Sequence, residues 1–332
     1  MQIAIDAMGG DFAPRAIIAG TLQAVDSLKD IERIILVGDE AVIVRELRVF
    51  GQTPDRIEIF HAAESIGMEE SPVNAVRHKK DSSINRAVDL VKSGRAQAMI
   101  SAGNTGAVMA AAALKLRTLR GVERPAIATM MPTPSKPFVL IDAGANTDCS
   151  PGLLLQFAVM GHVYAKKILS NPQPVVGLMS VGTEDSKGNE TTREAFRLLS
   201  ASQLNFKGNI EGHDLFKGNI DVAVCDGFVG NVILKSSESV AHAVGTWIKR
   251  EFTSNPWRKL GAFCLRSALN KMKRTMDPEM YGGAPLLGVN GICIICHGAS
   301  SGRAIFNAIR VARDSVHQEI NEMIIKTIED LP

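Results

Sequence analysis

Residues 175–190 read VVGLMSVGTEDSKGNE, an apolar run of strand length that breaks at Gly182 into a polar loop. A helical pattern begins at Thr191, so this segment predicts a strand, a loop and the start of a helix. In open α/β sheets, ligands bind in loops that follow the carboxyl ends of parallel strands, where helix N-termini direct free N–H groups into the crevice. Lys187 is the one cation of this loop, which makes it the first candidate for chemistry.

Short β-type runs alternate with helical patterns on both sides of this segment. Alternation of this kind predicts a mostly parallel sheet covered by helices on both faces, a three-layer α/β/α unit over residues 1–332. The predicted strands are Ile3–Asp6, Arg33–Val37, Arg56–Phe60, Gln97–Ser101, Ala126–Met130, Phe138–Asp142, Val175–Val181, Asp221–Asp226 and Gly291–Cys296, and the predicted helices include Pro14–Leu28, Ala41–Phe50, Asn85–Ser93, Thr105–Leu116 and Leu153–Leu169.

Composition excludes several classes of protein. The 332 residues are 45% hydrophobic, so the chain can bury a large core and is expected to be soluble. A net charge of +2 and 5% aromatic residues argue against a nucleic-acid partner. The N-terminus lacks the pattern of a signal peptide, and no apolar run is long enough to span a membrane. Five cysteines, an odd number mostly in apolar runs, indicate reduced thiols and a cytoplasmic location.

Four predicted strands end in loops rich in glycine and short polar residues. Any one of them is as consistent with ordinary turn chemistry as with a ligand site. We expect all four to lie at one edge of the sheet, which favours a ligand site built from small residues and helix N-termini. The loops are Asp6–Pro14, Ser101–Ala107, Asp142–Pro151 and Asp226–Asn231.

Two motif matches are rejected. Residues 293–297 spell CIICH, the attachment signature of a c-type haem, but that chemistry requires an exported chain. Residues 298–302 spell GASSG, which matches the GxSxG motif of serine hydrolases. The acid and histidine that should follow on later strand ends are missing, since Asp314 and His317 share one helical pattern. The histidines show no metal-ligand spacing.

Seven motifs stand out along the chain, namely DAMGGD (6–11), SAGNTGA (101–107), DAGAN (142–146), VGTEDSKGNE (181–190), DGFVGN (226–231), YGGAPLLG (281–288) and His297-Gly298. Taken together, they resemble those of the bacterial phosphate acyltransferases of phospholipid synthesis. The resemblance spans nearly the whole chain. It implies a fold like that of phosphotransacetylases and isocitrate- or isopropylmalate-type dehydrogenases, a homodimer, and no metal or nicotinamide cofactor. It also implies transfer of a fatty acyl group from acyl carrier protein to inorganic phosphate, giving acyl phosphate.

The residues are compatible with that reaction. Phosphate can attack a thioester directly, so the protein needs to supply position and charge stabilisation rather than a covalent nucleophile. Lys187 and Asn231 are therefore predicted to be catalytic, although acids near a phosphate leave magnesium open as an alternative. The residues predicted to bind substrate, several of them only through the resemblance, are Gly103, Asn104, Thr105, Gly106, Asp142, Asn146, Gly182, Thr183, Glu184, Asn189, Asp226, Gly230 and His297.

Two basic regions concern partners. Residues 77–80, with Lys115, Arg117, Arg120 and Arg124, form either a solvated face or a surface that steers an acidic carrier protein. Residues 247–280 are predicted to be a basic amphipathic helical insertion, a hairpin that contacts a membrane surface or packs on a partner subunit. The residues predicted to contact the membrane are Trp257, Leu260, Phe263, Leu265 and Leu269.

Three functions remain open at this point. The first is a phosphate acyltransferase in the cytoplasm, peripheral on the inner face of the cell membrane. The second is a metal- and NAD-dependent decarboxylating dehydrogenase on the same fold. The third is a non-catalytic module that binds lipid or carrier protein. We favour the first, because the motif resemblance implies it and the chemistry of the residues is compatible with it.

Overall fold

The computed structural model describes residues 1–51, 54–275 and 277–331. In this part of the chain, eleven strands form one sheet with the order β3-β2-β1-β4-β11-β10-β5-β6-β9-β7-β8. The strands are β1 (Gln2–Asp6), β2 (Arg33–Gly38), β3 (Ile57–His61), β4 (Ala98–Ser101), β5 (Ala126–Met131), β6 (Phe138–Ile141), β7 (Val176–Met179), β8 (Phe206–Ile210), β9 (Val222–Val224), β10 (Ala284–Leu287) and β11 (Ile292–Ile295).

Twelve helices are described, and most of them cover the two faces of this sheet. They are α1 (Arg15–Ser27), α2 (Glu40–Val49), α3 (Pro72–His78), α4 (Ser83–Lys92), α5 (Thr105–Lys115), α6 (Pro151–Ile168), α7 (Glu190–Ala201), α8 (Gly227–Thr253), α9 (Pro256–Cys264), α10 (Arg266–Thr275), α11 (Gly302–His317) and α12 (Ile320–Glu329), with a 3-10 turn at Pro278–Met280.

Three apolar clusters build the layers. One packs α1 and α11 against β1, β2, β4 and β11, and a second packs α4 and α5 on the opposite face. The third joins α6, α7 and α12 to the strands of the other half, with Phe157 and Tyr164 fully buried. The predicted three-layer α/β/α architecture is therefore confirmed.

The sheet reverses direction in its middle. Pairing is parallel from β3 to β11 and again from β6 to β8, but β10 is antiparallel to both of its neighbours, and β5 is antiparallel to β6. The carboxyl ends of β1, β4 and β11 therefore lie at one edge, here called the Asp6 edge. Those of β6, β9 and β7 lie at the other edge, here called the Lys187 edge. The expectation that all four polar loops share one edge was wrong.

Two strands were not predicted. β8 is the outermost strand and contains Lys207, Gly208 and Asn209, which are unusual in a strand pattern. β10 has four residues, one of them Pro285, and follows two glycines. Because β10 is part of the reversal, missing it also concealed the change of direction.

The predicted insertion at residues 247–280 begins inside a longer element. Trp247 lies in α8, which starts twenty positions earlier at Gly227, and α9 and α10 follow as a helical pair. Met276 lies outside the described residues. In the described part of the chain, no helix is long and apolar enough to cross a membrane.

Candidate active site

Three helices begin at the Lys187 edge, each directly after one of its strands. Ser150 caps α6 by accepting from Leu153 N–H, and Asp226 caps α8 by accepting from Val229 N–H at 2.8 Å. Asn189 caps α7 in the same way. Because each helix presents the positive end of its dipole here, this edge is electrostatically suited to an anion.

The Asp142 carboxylate organises the loop before α6. It accepts hydrogen bonds from the backbone N–H groups of Ile127, Gly144, Ala145 and Asn146 and from Nδ2 of Asn146. Burial raises the pKa of Asp142, and these donors act in the opposite direction. Both carboxylate oxygens are thus occupied by the chain itself, which gives Asp142 the role of holding the loop.

The start of α8 packs directly on this loop. A Cβ on Gly230 would lie 1.8 Å from the carbonyl oxygen of Asp142, so only glycine fits that approach. Gly227 N–H donates to the carbonyl of Asn146 at 2.6 Å. The contact brings the side chain of Asn231 against Gly144, and the Asn231 side chain remains exposed.

The loop between β7 and α7 carries Lys187 in an exposed position. A turn closes it, since Lys187 N–H donates to the carbonyl of Glu184 at 3.0 Å. Gly182 is buried beneath, where a Cβ would lie 2.9 Å from Cγ of Lys187, so the lysine stem crosses the glycine. Thr183 is exposed beside it. Within the described residues, no salt bridge involves the Lys187 ammonium, which therefore remains available for an anion.

A cleft of about 650 Å³ opens between the N-termini of α6 and α7. Arg193 and Arg197 line it from α7, together with Pro151 and Glu190. Sequence reasoning missed both arginines, although their spacing of four residues places them on one helix face beyond the Lys187 loop. Arg197 pairs with Glu194, which leaves Arg193 as the freer cation of the cleft.

Two thiols lie near the two aspartates of this edge. Burial, followed by the charges of Asp142 and Asp226, raises the pKa of Cys149 to about 12. The same causes raise the pKa of the buried Cys225 well above its usual range. Since the thiolate is the reactive form, neither cysteine is suited to be a nucleophile at neutral pH.

The loops at the Asp6 edge bind each other. Asp6 accepts from the hydroxyl of Ser101 at 2.6 Å, and Asp11 N–H donates to the carbonyl of Gly298 at 2.8 Å. Burial raises the pKa of Asp6, which the Ser101 bond opposes. Among the described residues, no hydrogen bond or salt bridge joins these loops to those of the Lys187 edge. Substrate binding by Gly103–Gly106 and His297 therefore stays a prediction.

Several side chains predicted to bind substrate are engaged within the chain. Asn104 caps α5 through Oδ1, and its Nδ2 donates to the carbonyls of Gly67, Met68 and Glu70. Asn146 similarly donates to Pro125. The structure brings together the loops of Asp142–Asn146 and Asp226–Asn231, with the Gly182–Asn189 loop on the next strand. Of the residues predicted to be catalytic or to bind substrate, Lys187, Asn231, Thr183, Glu184 and Asn189 are exposed at this edge.

The fold is that of the phosphotransacetylases. A phosphotransacetylase from Streptococcus pyogenes superposes with a TM-score of 0.64 at 19% identity, covering 96% of this chain and 94% of that one. A branched-chain phosphotransacylase from Enterococcus faecalis gives a TM-score of 0.57 at 16% identity, with 96% and 99% covered. At these identities the likeness shows the shared fold alone.

Sequence relatives are much closer. A phosphate acyltransferase from Pelotomaculum thermopropionicum is 52% identical over 331 residues, covering 100% of this chain and 96% of the relative. One from Desulfitobacterium hafniense is 50% identical over 329 residues, with 99% and 98% covered. The family model described as "Fatty acid synthesis protein" matches residues 1–323. The chain belongs to this family and is an acyltransferase, which confirms the resemblance seen in its motifs.

Proposed function

We propose that this chain transfers a fatty acyl group from the thioester of acyl carrier protein to inorganic phosphate, giving acyl phosphate for phospholipid synthesis. The observation that carries the proposal is the exposed Lys187 at an edge where three helices begin, in a chain whose relatives are phosphate acyltransferases. A phosphate oxygen attacks the thioester carbonyl, the C–O bond forms, the C–S bond breaks, and the released thiolate takes a proton.

Charge stabilisation is the main contribution of the protein in this scheme. The Lys187 ammonium neutralises phosphate or the developing oxyanion, and Asn231, the fifth residue of α8, donates a side-chain amide N–H. The N-termini of α6, α7 and α8 add partial positive charge. The thiols of Cys149 and Cys225 are unsuited to attack, which supports phosphate as the nucleophile.

The dehydrogenase alternative finds less support. It would need carboxylates free to bind a metal ion beside a nicotinamide site. Asp142, the most buried acid of the Lys187 edge, already accepts from five N–H donors of the chain, and Asp226 caps α8.

For the donor protein, we propose docking on a basic groove of about 540 Å³ between α3, α4 and α5. Arg77, Lys80, Arg86 and Lys115 line it beside the exposed Leu114. Lys115 pairs with a carboxylate of α4, while Arg77 and Lys80 make no salt bridge among the described residues. Charges of this kind speed encounter with an acidic partner.

Three other basic residues that follow α5 in the sequence do not line this groove. Arg120 pairs with Glu329 at the C-terminal end of α12, and Arg124 donates to the carbonyl of Asp148. Arg117 is exposed in the turn after α5.

For the homodimer, we propose contact through α8. Phe228, Val232, Val240 and Trp247 are exposed on this 27-residue helix at spacings that place them along one side. An apolar stripe of that length is unusual on a free surface and suits the symmetric interface of two copies.

For the membrane, we propose that α9 and α10 lie on the surface of an anionic bilayer. Trp257 is 83% exposed and Phe263 is 70% exposed, and Leu260 and Leu265 are also exposed. Leu269 is half-buried. Exposed aromatic and apolar side chains among basic ones are typical of interfacial helices.

Vesicle sedimentation tests the membrane contact. The double change Phe263→Glu and Leu265→Glu should abolish binding to anionic vesicles and spare the soluble reaction, and binding of the unchanged protein should weaken with salt. Dissociation of that variant into monomers would instead place the hairpin in the dimer interface.

The activity itself is tested by thioester cleavage with and without phosphate. We expect cleavage of acyl carrier protein thioester only when phosphate is present, with acyl phosphate as the product. Turnover that requires a nicotinamide cofactor would favour the dehydrogenase, and binding without turnover would favour a carrier-binding module.

A further inference from the structure

One carbonyl oxygen in the Lys187 loop accepts two hydrogen bonds. Lys187 N–H donates to the carbonyl of Glu184 at 3.0 Å, and Nδ2 of Asn209 donates to the same oxygen at 2.8 Å. Asn209 belongs to β8, the outermost strand, and is 6% exposed. Its amide therefore ties the turn that carries Lys187 to the sheet.

A bulge in β8 sets the face on which Asn209 lies. The register pairs Val176 with Phe206 and then Gly177 with Gly208, which leaves Lys207 as the extra residue. Gly208 has a φ of +110°, a conformation that favours glycine.

The extra residue decides where the Asn209 side chain points. Asn209 pairs with Leu178 and so shares its face, on which Leu199 of α7 also packs. Side chains alternate along a strand, so without the bulge Asn209 would point to the opposite face and could not reach the Glu184 carbonyl from this side.

Packing alone does not favour asparagine at this position. Oδ1 of Asn209 has no hydrogen-bond partner among the described residues, and neither has Oγ of Ser180, two residues beyond Leu178 on the same face. Burial of an unpaired polar oxygen opposes folding, a cost that leucine would not carry. The bond from Nδ2 to the Glu184 carbonyl is the compensating feature.

We infer that Asn209 is a positioning residue for Lys187. By holding the Glu184 carbonyl it fixes the turn and, through the Lys187 N–H, the backbone from which the ammonium extends towards phosphate. The lysine stem is further confined where it crosses Gly182. This inference rests on the proposed function, because it acts through the role given there to Lys187.

The test compares two asparagines of the same region. Asn209→Ala should lower kcat by roughly ten- to a hundred-fold, the range for a misplaced catalytic group, with little change in KM for the acyl thioester. Asn205→Ala is the matched control, since Nδ2 of Asn205 donates to the carbonyl of Gln173 away from the Lys187 loop. The control should keep its kcat.

A double-mutant cycle separates positioning from general disturbance. In a Lys187→Met background, Asn209→Ala should cause no further loss of kcat. A loss of the same size in both backgrounds would overturn the inference, as would full activity of Asn209→Ala beside an impaired Lys187→Met. An active Lys187→Met would instead overturn the proposed role of Lys187 and the inference with it.

Asn209→Leu guards against a folding artefact. We expect its thermal midpoint to equal or exceed that of the unchanged protein, because the unpaired Oδ1 is removed, while kcat still falls. A folded Asn209→Leu protein with undiminished kcat would show that the amide does not position Lys187.

Discussion

The Asp6 edge and the Lys187 edge use the same residue types in different ways. At the Asp6 edge, the loops are joined to each other by hydrogen bonds such as that between Ser101 and Asp6. At the Lys187 edge, Asp142 is equally satisfied, but the same edge also carries two exposed polar side chains, Lys187 and Asn231. The comparison shows that such loops mark strand ends at both edges, and it is the exposed lysine, unpaired among the described residues, that leads us to propose the Lys187 edge as the reactive one.

The difference also separates two uses of glycine. At the Asp6 edge, a Cβ on Gly9 would lie 2.6 Å from the backbone nitrogen of Gly103, so glycine lets two loops of the chain approach each other. At the Lys187 edge, Gly182 makes room for the stem of Lys187, the proposed catalytic side chain. Glycine thus allows two loops to pack closely in the first case, and allows a lysine side chain to cross the backbone in the second.

The largest expected effect is on Lys187. Lys187→Met should lower kcat by about a hundred-fold, typical for removal of one transition-state stabiliser. Stability should be unchanged because the ammonium is exposed and unpaired. Lys207→Met, at another exposed lysine of the same half, is the control and should keep its rate. A folded Lys187→Met enzyme with most of its acyl-phosphate formation would remove the distinction between the two edges.

A pair of asparagines tests the comparison directly. Asn231→Ala should lower kcat by roughly ten-fold or more and leave unfolding unchanged, because its side chain contacts the site and is exposed. Asn104→Ala should lower the free energy of unfolding by about 1–3 kcal/mol, since it removes a helix cap and a buried amide. Steady-state rates and urea unfolding measure the two effects. A loss of stability in Asn231→Ala together with a loss of kcat in Asn104→Ala would instead place the active site at the Asp6 edge.

The layer architecture and the Lys187 loop could be predicted from the sequence, because both depend on local hydrophobic periodicity. It did not reveal the reversal of the sheet, because this depends on the pairing of the short strand β10 with β5, which is distant from it in the chain. Asn209 was missed for a similar reason. Its contact requires a bulge and the register between β7 and β8, and neither is visible in the pattern of a single strand.

Two glycine variants, one from each edge, test whether close packing of the loops stabilises the fold. Gly9→Ala should lower the free energy of unfolding by about 1–3 kcal/mol, because its Cβ would overlap backbone that cannot move freely. Gly152→Ala, near the start of α6, should cause no loss and a small gain, at most about 1 kcal/mol, since nothing lies within 4 Å and alanine favours helix. Denaturant unfolding measures both. Equal denaturation midpoints for the two variants would show that the loops of the Asp6 edge can shift to accommodate the added Cβ of Gly9→Ala.

The smallest expected effect is on Cys149. Its pKa of about 12, raised by burial and by Asp142 and Asp226, leaves about 10⁻⁴ of the thiol ionised at pH 8. Alkylation of Cys149 by iodoacetamide, followed by mass spectrometry, should therefore keep rising about ten-fold per pH unit from pH 7 to pH 10. Cys149→Ser should retain its acyl-transfer rate, because the proposed attacking group is phosphate. A plateau in alkylation below pH 9, or an acyl adduct on Cys149 when phosphate is omitted, would make the thiol the nucleophile and reduce Lys187 to a supporting charge.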